Sequence, residues 1–120
     1  MDKPSILVVE DEIIIRQMLV NQLKKLDCNV IADVSSGEEA VEIANFPDKI
    51  DLICMDINLS GSIDGIEAAE IISSQRDVPI LFLTAYELPV SIDKKISNYG
   101  YIGKPIPMEK LRDFIFDIKG

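Results

Sequence analysis

Asp56 closes an apolar run, Ile53-Cys54-Met55-Asp56, and opens a polar loop, Ile57-Asn58-Leu59-Ser60-Gly61. The run from Ser5 to Val9 ends the same way, in Glu10-Asp11-Glu12. Ile80-Leu81-Phe82-Leu83 stops at Thr84-Ala85, and Tyr101-Ile102-Gly103 leads into Lys104-Pro105. In an open α/β sheet the ligand edge lies at the carboxyl ends of parallel strands, so these run ends would gather Glu10, Asp11, Asp56, Thr84 and Lys104. Two carboxylates about 4 Å apart repel by roughly 4 kcal/mol at an effective dielectric of 20. Three acids beside one lysine therefore require a cation. All-oxygen ligation favours a hard ion, Mg²⁺ or Mn²⁺, with Asp11 and Asp56 as direct ligands, the Asn58 carbonyl as a third and Glu10 acting through water. A carboxylate held against such an ion is also a nucleophile toward phosphorus. Asp56 is thus the candidate for an aspartyl phosphate, the transferred oxygens being held by the metal, the Lys104 ammonium and the Thr84 hydroxyl. Backbone groups of Ala85 and Asn58 would face the phosphoryl group.

The elements that must position these groups alternate along the chain. Apolar runs of strand length are separated by segments of helical period, the pattern of a doubly wound parallel sheet covered by helices. After the first strand, Ile15, Met18, Leu19, Gln22, Leu23 and Leu26 recur at helical spacing, with Asn21, Lys24 and Lys25 on the other side. Asn29 to Val34 is strand two. Ser35-Ser36-Gly37-Glu38-Glu39 then offers two overlapping Ser-x-x-Glu capping boxes, and helix two is expected to run to about Phe46. Pro47-Asp48 turns the chain into strand three, Leu52 to Met55, and helix three is expected over Ile66 to Ser74 after a sharp turn at Asp64-Gly65. Strand four is Ile80 to Leu83. Tyr86 to Gly100, broken by Pro89, Ser91, Ser97, Asn98 and Gly100, leaves room only for a short or mobile helix four. A brief strand five, Tyr101 to Gly103, precedes a fifth helix carrying Met108, Leu111, Ile115 and Ile118.

A chain of 120 residues is expected to form one domain over residues 1–120 with a single core. Its formal net charge of -9, from 12 Lys plus Arg against 21 Asp plus Glu, argues against direct nucleic-acid binding. The start, Met1-Asp2-Lys3-Pro4, lacks a charged-then-apolar leader, and no apolar run approaches bilayer length, so the expected compartment is the cytoplasm. The two cysteines, Cys28 and Cys54, form no CxxC and read as reduced, packed thiols. With no histidine in the chain, a Ser-His-Asp triad and a histidine metal site are excluded.

Taken in order, Val8-Val9-Glu10-Asp11-Glu12, Met55-Asp56-Ile57-Asn58, Asp64-Gly65, Leu83-Thr84-Ala85 and Tyr101-Ile102-Gly103-Lys104-Pro105 resemble the receiver domain of two-component response regulators over nearly the whole chain. The resemblance implies a five-stranded sheet of order 2-1-3-4-5 with five helices, a phosphoacceptor Asp56, an acidic metal pair Glu10 and Asp11, a switch Thr84, a switch aromatic Tyr101 and an essential Lys104. It implies a cis Lys104-Pro105 bond. It also implies, as partner, a sensor histidine kinase or phosphotransfer protein that supplies phosphate from a phosphohistidine, and an output domain or target protein read through the face of helix four, strand five and helix five. Kinase docking would fall on the start of helix one and the loop after Lys104, here Ile14, Ile15, Met18, Ile106 and Pro107. Tyr86, two residues after Thr84, would border the water that attacks the acyl phosphate. The chain departs from the usual pattern twice. The loop from Leu59 to Gly65 is one residue longer and lacks its customary proline, and the stretch between Thr84 and Lys104 is about two residues short.

Plainer readings exist for each residue. Asp56 alone would more often be a solvated acid or helix cap, Glu10-Asp11-Glu12 could simply favour a helix N-terminus, and Tyr101 could be a half-buried strand tyrosine with no switching role. Among rival functions, an aspartyl-phosphate phosphohydrolase would want a second acid two residues after its nucleophile, where Asn58 stands. A flavin mononucleotide binder would want a phosphate loop where Glu10-Asp11-Glu12 lies. A pseudo-receiver acting only as an interaction module would not need every site residue to be present.

Overall fold

The strand-length apolar runs named above become the strands of one sheet. In the computed structural model, which describes residues 3–46, 48–85, 96 and 98–119, the strands are β1 (Ser5–Val9), β2 (Asn29–Val34), β3 (Leu52–Asp56), β4 (Ile80–Thr84) and β5 (Tyr99–Gly103). They are all parallel, in the order β2-β1-β3-β4-β5. β1, β3 and β4 are central and covered on both faces, which is why they read as unbroken apolar runs rather than alternating ones.

The period of two along each strand sorts its residues between two cores. Leu7, Val9, Ile53, Met55, Ile80 and Phe82 pack on one face with α2 (Gly37–Ala44) and α3 (Gly65–Gln75). Ile6, Val8, Leu52, Cys54, Leu81, Leu83 and Ile102 pack on the other with α1 (Ile13–Lys25) and α4 (Met108–Lys119). Cys28 and Cys54 are free, buried thiols, and burial, with a smaller effect of Cys28, pushes the Cys54 thiol up to about 12. No helix among the described residues is long and apolar enough to cross a membrane.

Helix ends follow specific side chains. Ser36 caps α2, its hydroxyl accepting from the Glu39 N–H at 3.2 Å. Of the two overlapping Ser-x-x-Glu pairs, only Ser36 with Glu39 makes the hydroxyl cap, without the reciprocal backbone bond of a full box. The Glu39 carboxylate, lowered in pKa by hydrogen bonds from the Ser35 and Ser36 hydroxyls, stays at this end of the helix. α2 stops at Ala44, two residues short of the expected Phe46. There the Arg76 guanidinium takes the Ala44 carbonyl at 3.2 Å and those of the loop that follows, Phe46 O at 3.3 Å and Asp48 O at 3.1 Å. α3 begins with a reciprocal box in which Glu67 N–H donates to Asp64 and Asp64 N–H to the Glu67 carboxylate.

Three expectations need correction or fall away. β5 begins at Tyr99, two residues before the expected Tyr101, because Tyr99 and Gly100 pair with Ile80 and Leu81 and the Tyr99 ring packs edge-on against Phe82. Met18, at the helical spacing of Ile15, Leu19 and Leu23, is nevertheless 57% exposed. The meridian of α1 that meets the sheet runs through Leu19 and Leu23, the helix's buried residues, and Met18, about 100° away from Leu19, lies on its flank. The expected helix four falls mainly on residues 86–95 and 97, outside the described residues, as does Tyr86.

Phe82 fills the centre of the α2/α3 core with no solvent exposure. Phe82→Ala is expected to lower unfolding stability by about 3–5 kcal/mol, read as a lower urea midpoint with an unchanged denaturant slope.

Candidate functional site

Because the strands run in parallel, β1, β3 and β4 deliver their ends to the same edge, and three polar residues there are buried. Glu10 is 1% exposed, Asp56 4% and Thr84 1%. Lys104, just past β5, reaches across two strand ends. Its Nζ lies 2.8 Å from Glu10 Oε1 and 3.3 Å from Asp56 Oδ2. The Lys104–Pro105 peptide is cis, and the Lys104 N–H donates to Thr84 O at 2.8 Å. Asp11 is half-buried beside this pair, and carboxylate oxygens of Glu10, Asp11 and Asp56 all lie within 4.8 Å of one another.

The electrostatics divide the two buried acids. Burial raises the Asp56 pKa, the neighbouring Glu10 raises it further, and Lys104 only partly offsets them, leaving Asp56 at about 6. For Glu10, burial is the largest single influence and acts upward. It is outweighed by the hydrogen bond from Lys104 and by the Glu12 N–H, which donates to Oε2 at 3.1 Å, so Glu10 is held below its usual range. Burial likewise works against the Lys104 charge, but Glu10 and Asp56 outweigh it and raise its pKa. In the metal-free protein the ammonium is therefore matched mainly to Glu10, and Asp56 is the underpaired acid.

Glu10, Asp11, Asp56, Thr84 and Lys104 are brought together as the run ends implied. The Asn58 N–H lies 3.4 Å from Asp56 Oδ1 at the start of the following loop, and Ala85 directly follows Thr84. Tyr101 is 59% exposed on edge strand β5. Of the residues expected to dock a kinase, Ile15, Met18 and Ile106 line one groove of about 410 Å³, together with Leu19, Gln22, Lys104 and Pro105. Ile14, 70% exposed, and Pro107 stand outside that lining.

Two supporting residues escaped the reading of the sequence. Arg16 donates from Nη1 to the Glu10 carbonyl at 2.8 Å and from Nε to Asp33 Oδ1 at 3.2 Å, tying α1 to the ends of β1 and β2. The available signal was a cation in the first turn of a helix, where the macrodipole disfavours it. Gly65 was recognised as a turn residue only, yet a Cβ there would collide with the Asp56 carbonyl. Its missing side chain lets the N-terminus of α3 lie against the backbone of the buried acid.

A parallel sheet of this order, with a buried acidic pocket closed by a lysine at its carboxyl edge, defines the class of receiver-like α/β domains. The sequence profile described as "Response regulator receiver domain" matches residues 6–116. The chain belongs to the response regulator receiver domain family. It is 37% identical over 115 residues to the transcriptional regulatory protein YvrH of Bacillus subtilis, covering 91% of this chain and 46% of YvrH. It is 33% identical over 108 residues to the transcriptional regulatory protein PdtaR of Mycobacterium tuberculosis, covering 88% and 52%. The chain thus spans about half the length of these curated relatives. The receiver domain of a sensor histidine kinase from Pseudomonas aeruginosa, solved with a magnesium ion coordinated in its active site cleft, superposes with a TM-score of 0.84 at 28% identity, covering 99% of this chain and 100% of that one.

The site yields two expectations. A carbon-detected NMR titration of the metal-free protein should give Asp56 a midpoint near 6, moving upward in Lys104→Met because the ammonium is what holds it down. Gly65→Ala must displace the Asp56 backbone, and is expected to lower stability by about 1–3 kcal/mol, measured by thermal unfolding.

Proposed function

We propose that this receiver domain accepts a phosphoryl group on Asp56 from a phosphohistidine of a sensor kinase or phosphotransfer protein, and that phosphorylation governs an output domain or target protein. The observation that carries the reading is the bridge of Lys104 between Glu10 and Asp56 in a buried pocket beside Asp11. The donor set fits a divalent hard cation: three carboxylates with oxygens within 4.8 Å, no nitrogen or sulfur ligand among them, and more negative charge than one ammonium offsets. Asp11, Asp56 and the Asn58 carbonyl would hold Mg²⁺ or Mn²⁺, with Glu10 acting through water. Bound there, the cation supplies charge neutralisation for the carboxylates and the transferred group.

In the transfer, an Asp56 carboxylate oxygen forms a bond to phosphorus as the phosphorus–nitrogen bond of the donor breaks, and the electron pair stays with the imidazole. Lys104 neutralises charge on the phosphoryl oxygens, and Thr84 and the Ala85 N–H hydrogen-bond to them. Once phosphate is present, the Thr84 hydroxyl is drawn toward it and Tyr101 turns inward, a shift between two packings driven by contacts made only in the phosphorylated state. The groove of Ile15, Met18 and Ile106, with Ile14 and Pro107 nearby, gives the phosphodonor an apolar seat next to Lys104. Small phosphodonors would also serve. Loss of the phosphate is slow, since Asn58 rather than an acid follows the nucleophile by two residues. We assign the whole chain, residues 1–120, to this one domain and its action to the cytoplasm.

The test is the mass of the intact protein after incubation with acetyl phosphate and Mg²⁺. One phosphoryl adduct is expected, absent without metal and absent in Asp56→Asn. An adduct that persists in Asp56→Asn would reassign the acceptor, and no adduct at all would favour a phosphorylation-independent interaction module.

A further inference from the structure

The loop from Ile57 to Asp64, the longer and proline-free one, is closed at its neck by the Gly65 N–H, which donates to Ile57 O at 2.9 Å, and by the Leu59 N–H, which donates to the same carbonyl at 3.1 Å. Leu59 and Ile63 pack against the α2/α3 core. On the far limb the carboxylate of Glu38, in the first turn of α2, straddles two successive amides. Oε2 accepts from the Ser62 N–H at 3.2 Å and Oε1 from the Ile63 N–H at 3.4 Å, across 24 and 25 residues of sequence. Gly61 makes this approach possible. Its φ is +115°, a conformation that side chains rarely adopt, and a Cβ there would lie 2.8 Å from Glu38 Oε2. Consecutive N–H groups beside a residue of positive φ form a concave anion seat. Here the seat is filled from within the chain, by a carboxylate on a neighbouring helix.

We propose that Glu38 is a positioning residue of the phosphoryl-acceptor site. Its fork onto Ser62 and Ile63 holds the far limb of the loop that carries Asn58, and so steadies the Asn58 carbonyl assigned above as a ligand. The inference rests on the cation reading above. It adds to that reading a residue on α2, outside the pocket, whose removal lowers cation affinity while leaving every ligand in place. Glu39 is the natural control, because its carboxylate has the same charge one residue away but is committed to Ser35 and Ser36.

The test is calorimetric titration of Mg²⁺ into the metal-free protein, with amide hydrogen exchange followed by NMR in the same samples. Glu38→Ala should weaken Mg²⁺ binding about three- to tenfold, consistent with the loss of two exposed hydrogen bonds. It should also speed exchange at Ser62 and Ile63 without changing exchange in β1, β3 and β4. Glu38→Gln, which keeps one acceptor oxygen and no charge, should fall between wild type and alanine, and Glu39→Ala should bind Mg²⁺ as wild type does. Unchanged affinity in Glu38→Ala overturns the positioning role. So does an equal loss in Glu38→Ala, Glu38→Gln and Glu39→Ala, which would make the effect one of charge alone. A wild-type protein that binds no Mg²⁺ overturns the cation reading itself and this inference with it, an outcome distinct from wild-type binding that Glu38→Ala leaves intact.

Discussion

The ammonium of Lys104, set between Glu10 and Asp56, is the interaction around which this domain is organised. Two nearly buried carboxylates at the ends of adjacent strands repel, and without a cation between them the sheet edge would open or one acid would stay protonated. One lysine cannot satisfy three acids. The structure gives its stronger contact to Glu10 and leaves Asp56 short of compensation. That imbalance gives the pocket its character: Asp56 stands next to a fixed positive charge yet holds its proton up to about pH 6. The pocket holds more negative charge than its one bridging ammonium offsets.

The scaffold explains how such a pocket is tolerated. β1, β3 and β4 are wrapped on both faces by apolar side chains, so the polar edge is carried by two fully packed cores. The backbone at the edge is held by contacts from outside the pocket. Arg16 grips the Glu10 carbonyl, Gly65 lets α3 abut the Asp56 carbonyl, and the Lys104 N–H binds Thr84. Each fixes main chain next to the buried acids rather than their carboxylates.

Much of this was legible in the sequence because it is local. Central parallel strands announce themselves as continuous apolar runs, and the residue ending each run falls on one edge once the strands are parallel. This is why the sequence alone gathers Glu10, Asp11, Asp56, Thr84 and Lys104 on one edge. Contacts between side chains far apart in sequence left little trace. The hold of Glu38 on Ser62 and Ile63 and that of Arg76 on the end of α2 depend on how neighbouring helices are set, and no local pattern encodes that. Met18 misled because a helix on a sheet buries a narrower stripe than its apolar spacing suggests. β5 was read short because Gly100 looks like a breaker, whereas in an edge strand it pairs with Leu81 and leaves room for the Phe114 ring.

The ion pair between Glu10 and Lys104 spans 94 residues, nearly the full length of the chain. Glu10 and Asp56 come from the ends of β1 and β3, and the cation set between them follows β5 at the sheet's edge. Without β5 docked at that edge, Glu10 and Asp56 lose the ammonium that lies between them. The pocket's charge is therefore balanced across the sheet: its compensation depends on the pairing of β5 with β4, which sets Lys104 beside the two buried acids.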